Sequence, residues 1–155
     1  MGSKVAQTIF LCLVGGAIYW SVEWVYKTFI GAGEGRTHWS MFLLAAILSL
    51  PLDQINEHMS WDTPIWLQML MGGAGITIAE LIAGLVLNVW LDLRIWDYTL
   101  LPWNFMGQIS IQYSVLWVLL AGVGIVIFDI LRWLLFREEI PRYSMWFKND
   151  WRSKK

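Results

Sequence analysis

Residues 64–91 read Pro-Ile-Trp-Leu-Gln-Met-Leu-Met-Gly-Gly-Ala-Gly-Ile-Thr-Ile-Ala-Glu-Leu-Ile-Ala-Gly-Leu-Val-Leu-Asn-Val-Trp-Leu, and within them Glu80 is the sole ionisable residue. About 20 consecutive apolar residues suffice to cross the ~30 Å hydrocarbon core of a bilayer. A soluble core has no need of so long a run, so this stretch assigns the chain to the membrane. Pro64 suits the first turn of a helix, with Asp62 or Thr63 placed to cap its start. Gly73, Thr77, Glu80, Gly84 and Asn88 recur every three or four residues. They therefore share one helical face made of small and polar side chains.

Working outward, three more segments can span. One runs from about Val5 to Ile30 and one from about Trp103 or Asn104 to Phe136. The third starts near His38, is apolar to Leu52, and is expected to kink at Pro51 before continuing toward Met59. It is the shortest. The reading is an all-α, polytopic membrane protein: a four-transmembrane-helix bundle over residues 1–137, followed by a basic tail over 138–155. Composition agrees. The mean hydropathy is +0.53, and charged residues make up 15% where soluble chains carry roughly 25%. Several of the 12 tryptophans, such as Trp39, Trp61, Trp90, Trp103 and Trp133, stand at the ends of apolar runs, at headgroup depth.

The net charge of −1 argues against a nucleic-acid partner. The single cysteine, Cys12, cannot form an internal disulfide. The first apolar run continues through Gly15 and Gly16 to aromatic residues, unlike a cleaved signal peptide. With four spans, Lys4, Arg132, Arg137, Arg142, Lys148, Arg152, Lys154 and Lys155 share one side, against Lys27, Arg36 and Arg94 on the other. The positive-inside rule then places both termini in the cytoplasm of a cell that keeps this multi-pass chain in its inner or plasma membrane.

Ionisable groups within a span are costly and mark candidate sites. Gly16, Tyr19, Glu23 and Lys27 form one polar face on the first span, and Asn104, Gln108 and Gln112 another on the fourth. Turning these faces and that of Glu80 inward satisfies all three. The expected result is a polar cavity lined by spans one, three and four, with Glu23, His38, Asn88, Asp97, Asn104, Gln108 and Gln112 in its outer half and Glu80 at its floor. Glu80 should then meet Glu23, Gln108 or Gln112. Each residue also has a plainer role: Gly73 and Gly84 as packing contacts, Glu23 paired with Lys27, and Asp129 with Arg132 as an interfacial pair whose arginine snorkels. Trp96, Asp97 and Tyr98 should fold back on the outer ends of spans three and four, Asp97 capping span four or accepting from Asn104. The sequence holds no Walker A motif, no His-Glu-x-x-His, no cysteine cluster and no Gly-x-Ser-x-Gly. His38 and His58 fall on opposite sides of the membrane, so neither a metal site nor a cofactor is expected.

The segment Glu80-Leu-Ile-Ala-Gly-Leu-Val-Leu-Asn88, then Ile95-Trp-Asp-Tyr98 and Leu101-Pro-Trp-Asn-Phe-Met-Gly-Gln-Ile109, resembles the hallmark of a family of small bacterial membrane proteins, the CmpB-like type IV ABC-transporter permeases. Trp103 stands where that pattern has Phe. Arg36-Thr-His-Trp-Ser-Met-Phe-Leu-Leu44 and Arg137-Glu-Glu-Ile-Pro-Arg-Tyr143 are also similar to one branch, so the resemblance covers roughly residues 15 to 143. It implies a permease component that relies on a separate ATPase or other membrane-protein partner and on homo-oligomerisation. Two other functions fit the same residues. One is a membrane-embedded enzyme acting on a lipid or isoprenoid headgroup, with Glu80, Glu23 and Asp97 as acid/base groups. The other is a small interaction or regulatory subunit without chemistry of its own; membrane lipids are partners in every case.

Overall fold

The structure, a computed structural model, describes residues 3–30 and 37–147. The 31–36 linker and the last basic residues of the tail, from Lys148 on, lie outside the described residues. Four helices are long and apolar enough to cross a membrane: α1 (Lys4–Ile30), α2 (Trp39–His58), α3 (Ile65–Gly84) and α4 (Ile111–Leu131). α3 and α4 continue in wider π-type turns over Leu85–Trp90 and Arg132–Phe136. Between them lies a two-stranded antiparallel turn of β1 (Asn104–Phe105) and β2 (Ile109–Ser110).

α2 runs unbroken through Pro51 to His58. Its 20 residues rise about 30 Å, just the thickness of the hydrocarbon core. The helix therefore reaches across only because the polar stretch from Asp53 to His58, beyond the expected kink at Pro51, is helical. His38 caps the start of α2, its side chain accepting from the Ser40 N–H. The N-cap position of α3 is Pro64, which has no side-chain donor or acceptor to offer. The Ile65 N–H donates to the Ser144 carbonyl at 2.9 Å, so the chain beyond α4 folds back to satisfy one orphan donor of α3.

α4 begins at Ile111, not at Trp103 or Asn104. Trp103, Met106 and Gly107 all have positive φ, at 58°, 54° and 69°. A helix cannot pass through them, and Ser110 caps the true start by accepting from the Tyr113 N–H.

The bundle is two helical hairpins, α1 with α2 and α3 with α4, joined mainly where α2 meets α4; α1 scarcely touches α4. Glycines set the close approaches. A Cβ on Gly16 would lie 2.8 Å from the Phe42 carbonyl, and one on Gly73 2.6 Å from the Val118 Cα. The shared core is small: Leu11, Leu52, Ile76, Ala121, Ile125 and Phe128. On α1 only Leu11, Gly15 and Gly16 are buried among the described side chains. An apolar surface this open suits lipid, where every helical backbone group is already satisfied internally. The N-terminus of α1, the end of α2, the start of α3 and the end of α4 share one end of the bundle, the terminal end; residues 91–110 cover the other, the loop end.

Candidate functional site

Glu80 lies on α3, 6% exposed. Its two oxygens each receive a donor: Tyr98 Oη at 2.9 Å and the Trp117 indole N–H at 2.7 Å. The carboxyl thus faces the interior and bonds across to α4. Its partners are these two aromatic side chains, and not Glu23, Gln108 or Gln112. The substitution has a geometric cause. Gln108 lies in the turn before α4, where its side chain reaches Asn88, and Gln112 at the start of α4 is exposed.

Asn88 is the second node. Its amide donates to the Gln108 Oε1 at 2.9 Å and the Trp96 carbonyl at 3.0 Å, and its Oδ1 accepts from the Ile95 N–H at 2.7 Å. Trp96 returns an indole N–H to the Gln108 carbonyl at 2.9 Å. Tyr98 stacks on Tyr113, with ring centroids 4.4 Å apart. Burial, and after it the Glu80 charge, pushes the Tyr98 phenol well above its ordinary range, so it keeps the proton it donates. Trp96 and Tyr98 do fold back on α3 and α4. Asp97 neither caps α4 nor meets Asn104; it accepts from the Thr99 N–H at 2.8 Å, which holds its carboxyl below the usual range. Asn104 turns its amide onto the Leu101 and Thr99 carbonyls and accepts from the Gly107 N–H. Gly84 lets this turn dock: a Cβ there would stand 2.6 Å from the Gln108 Oε1.

Glu23 pairs with Lys27 at 2.6 Å, one turn along α1. His38 serves the α2 cap. Hence Glu80, Asn88 and Gln108 are brought together around the 91–110 loop, whereas Glu23, His38 and Gln112 are not.

A cavity of about 320 Å³ lies between the hairpins. α1 contributes Gly15 to Val22, α2 Met41 to Leu52, and α4 Trp117 to Phe128. Apart from Tyr19, Ser49, Glu80 and Trp117, its lining side chains are apolar. It takes the form of a slot along the bundle axis. Glu80, Tyr19 and Trp117 stand at its end nearer the loop.

Sequence reasoning missed a second polar cluster, at the terminal end. Asp53 on α2 is fully buried and takes two hydrogen bonds from Arg132, at 2.7 and 2.5 Å. Arg132 is 3% exposed and also reaches Thr8 of α1 and Glu138. It therefore does not snorkel, because a buried carboxylate on the neighbouring helix holds it inside. Nor does it pair with Asp129, which accepts instead from Asn56 at 2.7 Å and Tyr143 at 2.8 Å. Burial, and then the bond to Asp129, pushes the Tyr143 phenol up. Burial and the adjacent Glu57 carboxyl push Glu138 up as well. The sequence did carry a signal. Asp53 and Asn56 sit at the same i, i+3 spacing as Asp129 and Arg132, at the same end of neighbouring spans. Among the described residues, no group of three His, Cys, Asp or Glu side chains is placed to hold a metal ion.

Four apolar helices, a buried ion pair and an apolar exterior define a polytopic helical membrane protein. Within that class the chain belongs to the family described as "Putative ABC-transporter type IV", whose profile matches residues 10–147. No curated protein and no solved structure matches it.

Proposed function

We propose that this chain is the membrane-embedded, cargo-contacting subunit of a transport assembly, with both termini in the cytoplasm and its ATP hydrolysis supplied by a separate chain. The slot between the hairpins is the observation that carries this reading. It lies where two bodies meet through a thin seam, the arrangement in which one hairpin can rock against the other. It is lined by 18 residues from all four helices, with Glu80 the one acidic group among them. The sequence carries no Walker A motif. The slot belongs to a single copy, and assembly with further copies would complete a path.

The opposite pairing of both Glu80 oxygens favours a second reading, a regulatory subunit whose polar groups only hold the fold. The two separate on one experiment. The chain is purified in mild detergent from its own membranes, and ATP hydrolysis of the preparation is followed with and without added membrane lipid. A transport subunit brings an ATPase with it, lipid raises the rate, and Ala45→Phe, which fills the slot, removes the stimulation while leaving the subunit composition intact. Absence of hydrolysis, or equal stimulation with the slot filled, rejects the transport reading.

A further inference from the structure

We propose that the slot binds a single-chain alcohol, its hydrocarbon tail lying along the slot and its hydroxyl donating to Glu80. The proposal rests on the transport reading for its purpose but not for its test, which needs neither ATP nor a partner.

Length comes first. On α4 the slot runs from Trp117 to Phe128, eleven steps of 1.5 Å or about 16 Å. That is close to half of the ~30 Å hydrocarbon core, the depth of one leaflet's chain. The volume of about 320 Å³ is near the small end of ligand pockets and has room for one chain. Access comes second. α1 and α4 scarcely touch, so the slot they border is reached sideways from lipid.

Polarity fixes the head. No Lys or Arg lines the slot, and Glu80 is its only charged group. Phosphate and carboxylate heads would meet a carboxyl with no cation and are excluded. Trp117 has spent its one N–H on Glu80, and the Ser49 hydroxyl donates to the Ala45 carbonyl. What remains on offer is the Tyr19 hydroxyl and the acceptor capacity of Glu80: a carboxylate has about four lone-pair positions, and Tyr98 and Trp117 use two. A small donor completes the set, and a hydroxyl is the smallest carried by membrane amphiphiles. Because Glu80, Tyr19 and Trp117 all stand nearer the loop end, the tail points to the terminal end, against Phe128 and Leu52.

The probe is hexadecanol carrying a mid-chain diazirine, added to the purified chain in lipid nanodiscs and photolysed. Adducts are mapped by mass spectrometry. Labelling should saturate, fall on α2 residues 41–52 and α4 residues 117–128, and be abolished in Ala45→Phe. Unlabelled hexadecanol should compete about tenfold better than its methyl ether, the factor one hydrogen bond of ordinary net strength corresponds to. Glu80→Leu should erase that preference while keeping labelling, and Glu80→Gln should retain part of it through its amide oxygen. Farnesol competing as well as hexadecanol would assign the natural ligand to isoprenoid alcohols, and competing worse would assign it to straight-chain ones. Labelling that does not saturate and falls on the exposed face of α1 overturns the proposal. So does equal competition by the ether. Saturable labelling without any associated ATPase would leave the binding site standing and reject the transport reading alone.

Discussion

Replacing Asp53 by Leu should be among the most destabilising single changes available to this chain. Asp53 and Arg132 are fully and almost fully buried, and two hydrogen bonds join them. Loss of the carboxylate strands the guanidinium in the interior. Breaking one side of a buried pair costs about 3–5 kcal/mol, most of it the penalty of the unpaired charge. Here Arg132 keeps Glu138 at 3.2 Å and the Thr8 hydroxyl at 2.9 Å, so the lower part of that range, about 3 kcal/mol, is expected. The double variant Asp53→Leu with Arg132→Met removes both charges and should recover most of the loss, since a well-packed apolar pair of similar volume is often neutral or better. Equilibrium unfolding in detergent, followed by tryptophan fluorescence, gives both numbers. A loss under about 1 kcal/mol for Asp53→Leu, the range of exposed ion pairs, would refute the claim that this pair is buried and bolts α2 to α4. So would a double variant no more stable than the single one.

Gly73→Ala should separate α3 from α4, because its Cβ would fall 2.5 Å from the Val118 Cγ2 and 2.6 Å from its backbone Cα; a cost of about 1–3 kcal/mol is expected in the same unfolding assay. The raised Glu138 carboxyl gives a signed pH effect. Its contribution is complete below the ordinary carboxyl value of about 4.3 and is lost as pH rises through the raised folded value. The melting temperature should therefore fall from mildly acidic to neutral pH, and Glu138→Gln should flatten that slope; an unchanged slope counts against it. In a Cys12→Ser background, a cysteine at Leu100, 97% exposed in the loop, should react with an impermeant thiol reagent added outside intact cells, and one at Ser153 should not. The reverse pattern would invert the orientation.

The spans were legible because length and composition alone decide them. α1, and α3 together with its π-type continuation to Trp90, start and end within a residue or so of the apolar runs at 5–30 and 64–91. The interior position of Glu80 was legible too, since a carboxyl facing hydrocarbon is too costly to be placed elsewhere. Its partners were not. Asn104, Gln108 and Gln112 have perfect helical spacing, yet the first two lie in a turn where three residues take positive φ. Spacing reports a face only where the backbone is helical, and the Leu101-Pro102 and Met106-Gly107 pairs were the signs that it is not. The terminal-end cluster was hidden for a related reason. With a kink expected at Pro51, the sequence left open where Asp53 and Asn56 point, whereas the continuous helix aims them at α4. Arg132 then had only Asp129 within reach along its own helix, and snorkelling was the natural inference. Tertiary pairing supplied the partner that local spacing could not.

The most direct measurement is a structure of the chain crystallised from a lipidic mesophase doped with lipids extracted from its own membranes. We expect the two hairpins to remain apart along α1 and α4. The slot should hold one elongated density about 16 Å long, that of a single chain, its polar end within hydrogen-bonding reach of Glu80, and that density should be absent in Ala45→Phe. A bundle in which α1 closes onto α4, with no space beside Glu80, would contradict both the slot and the function built on it.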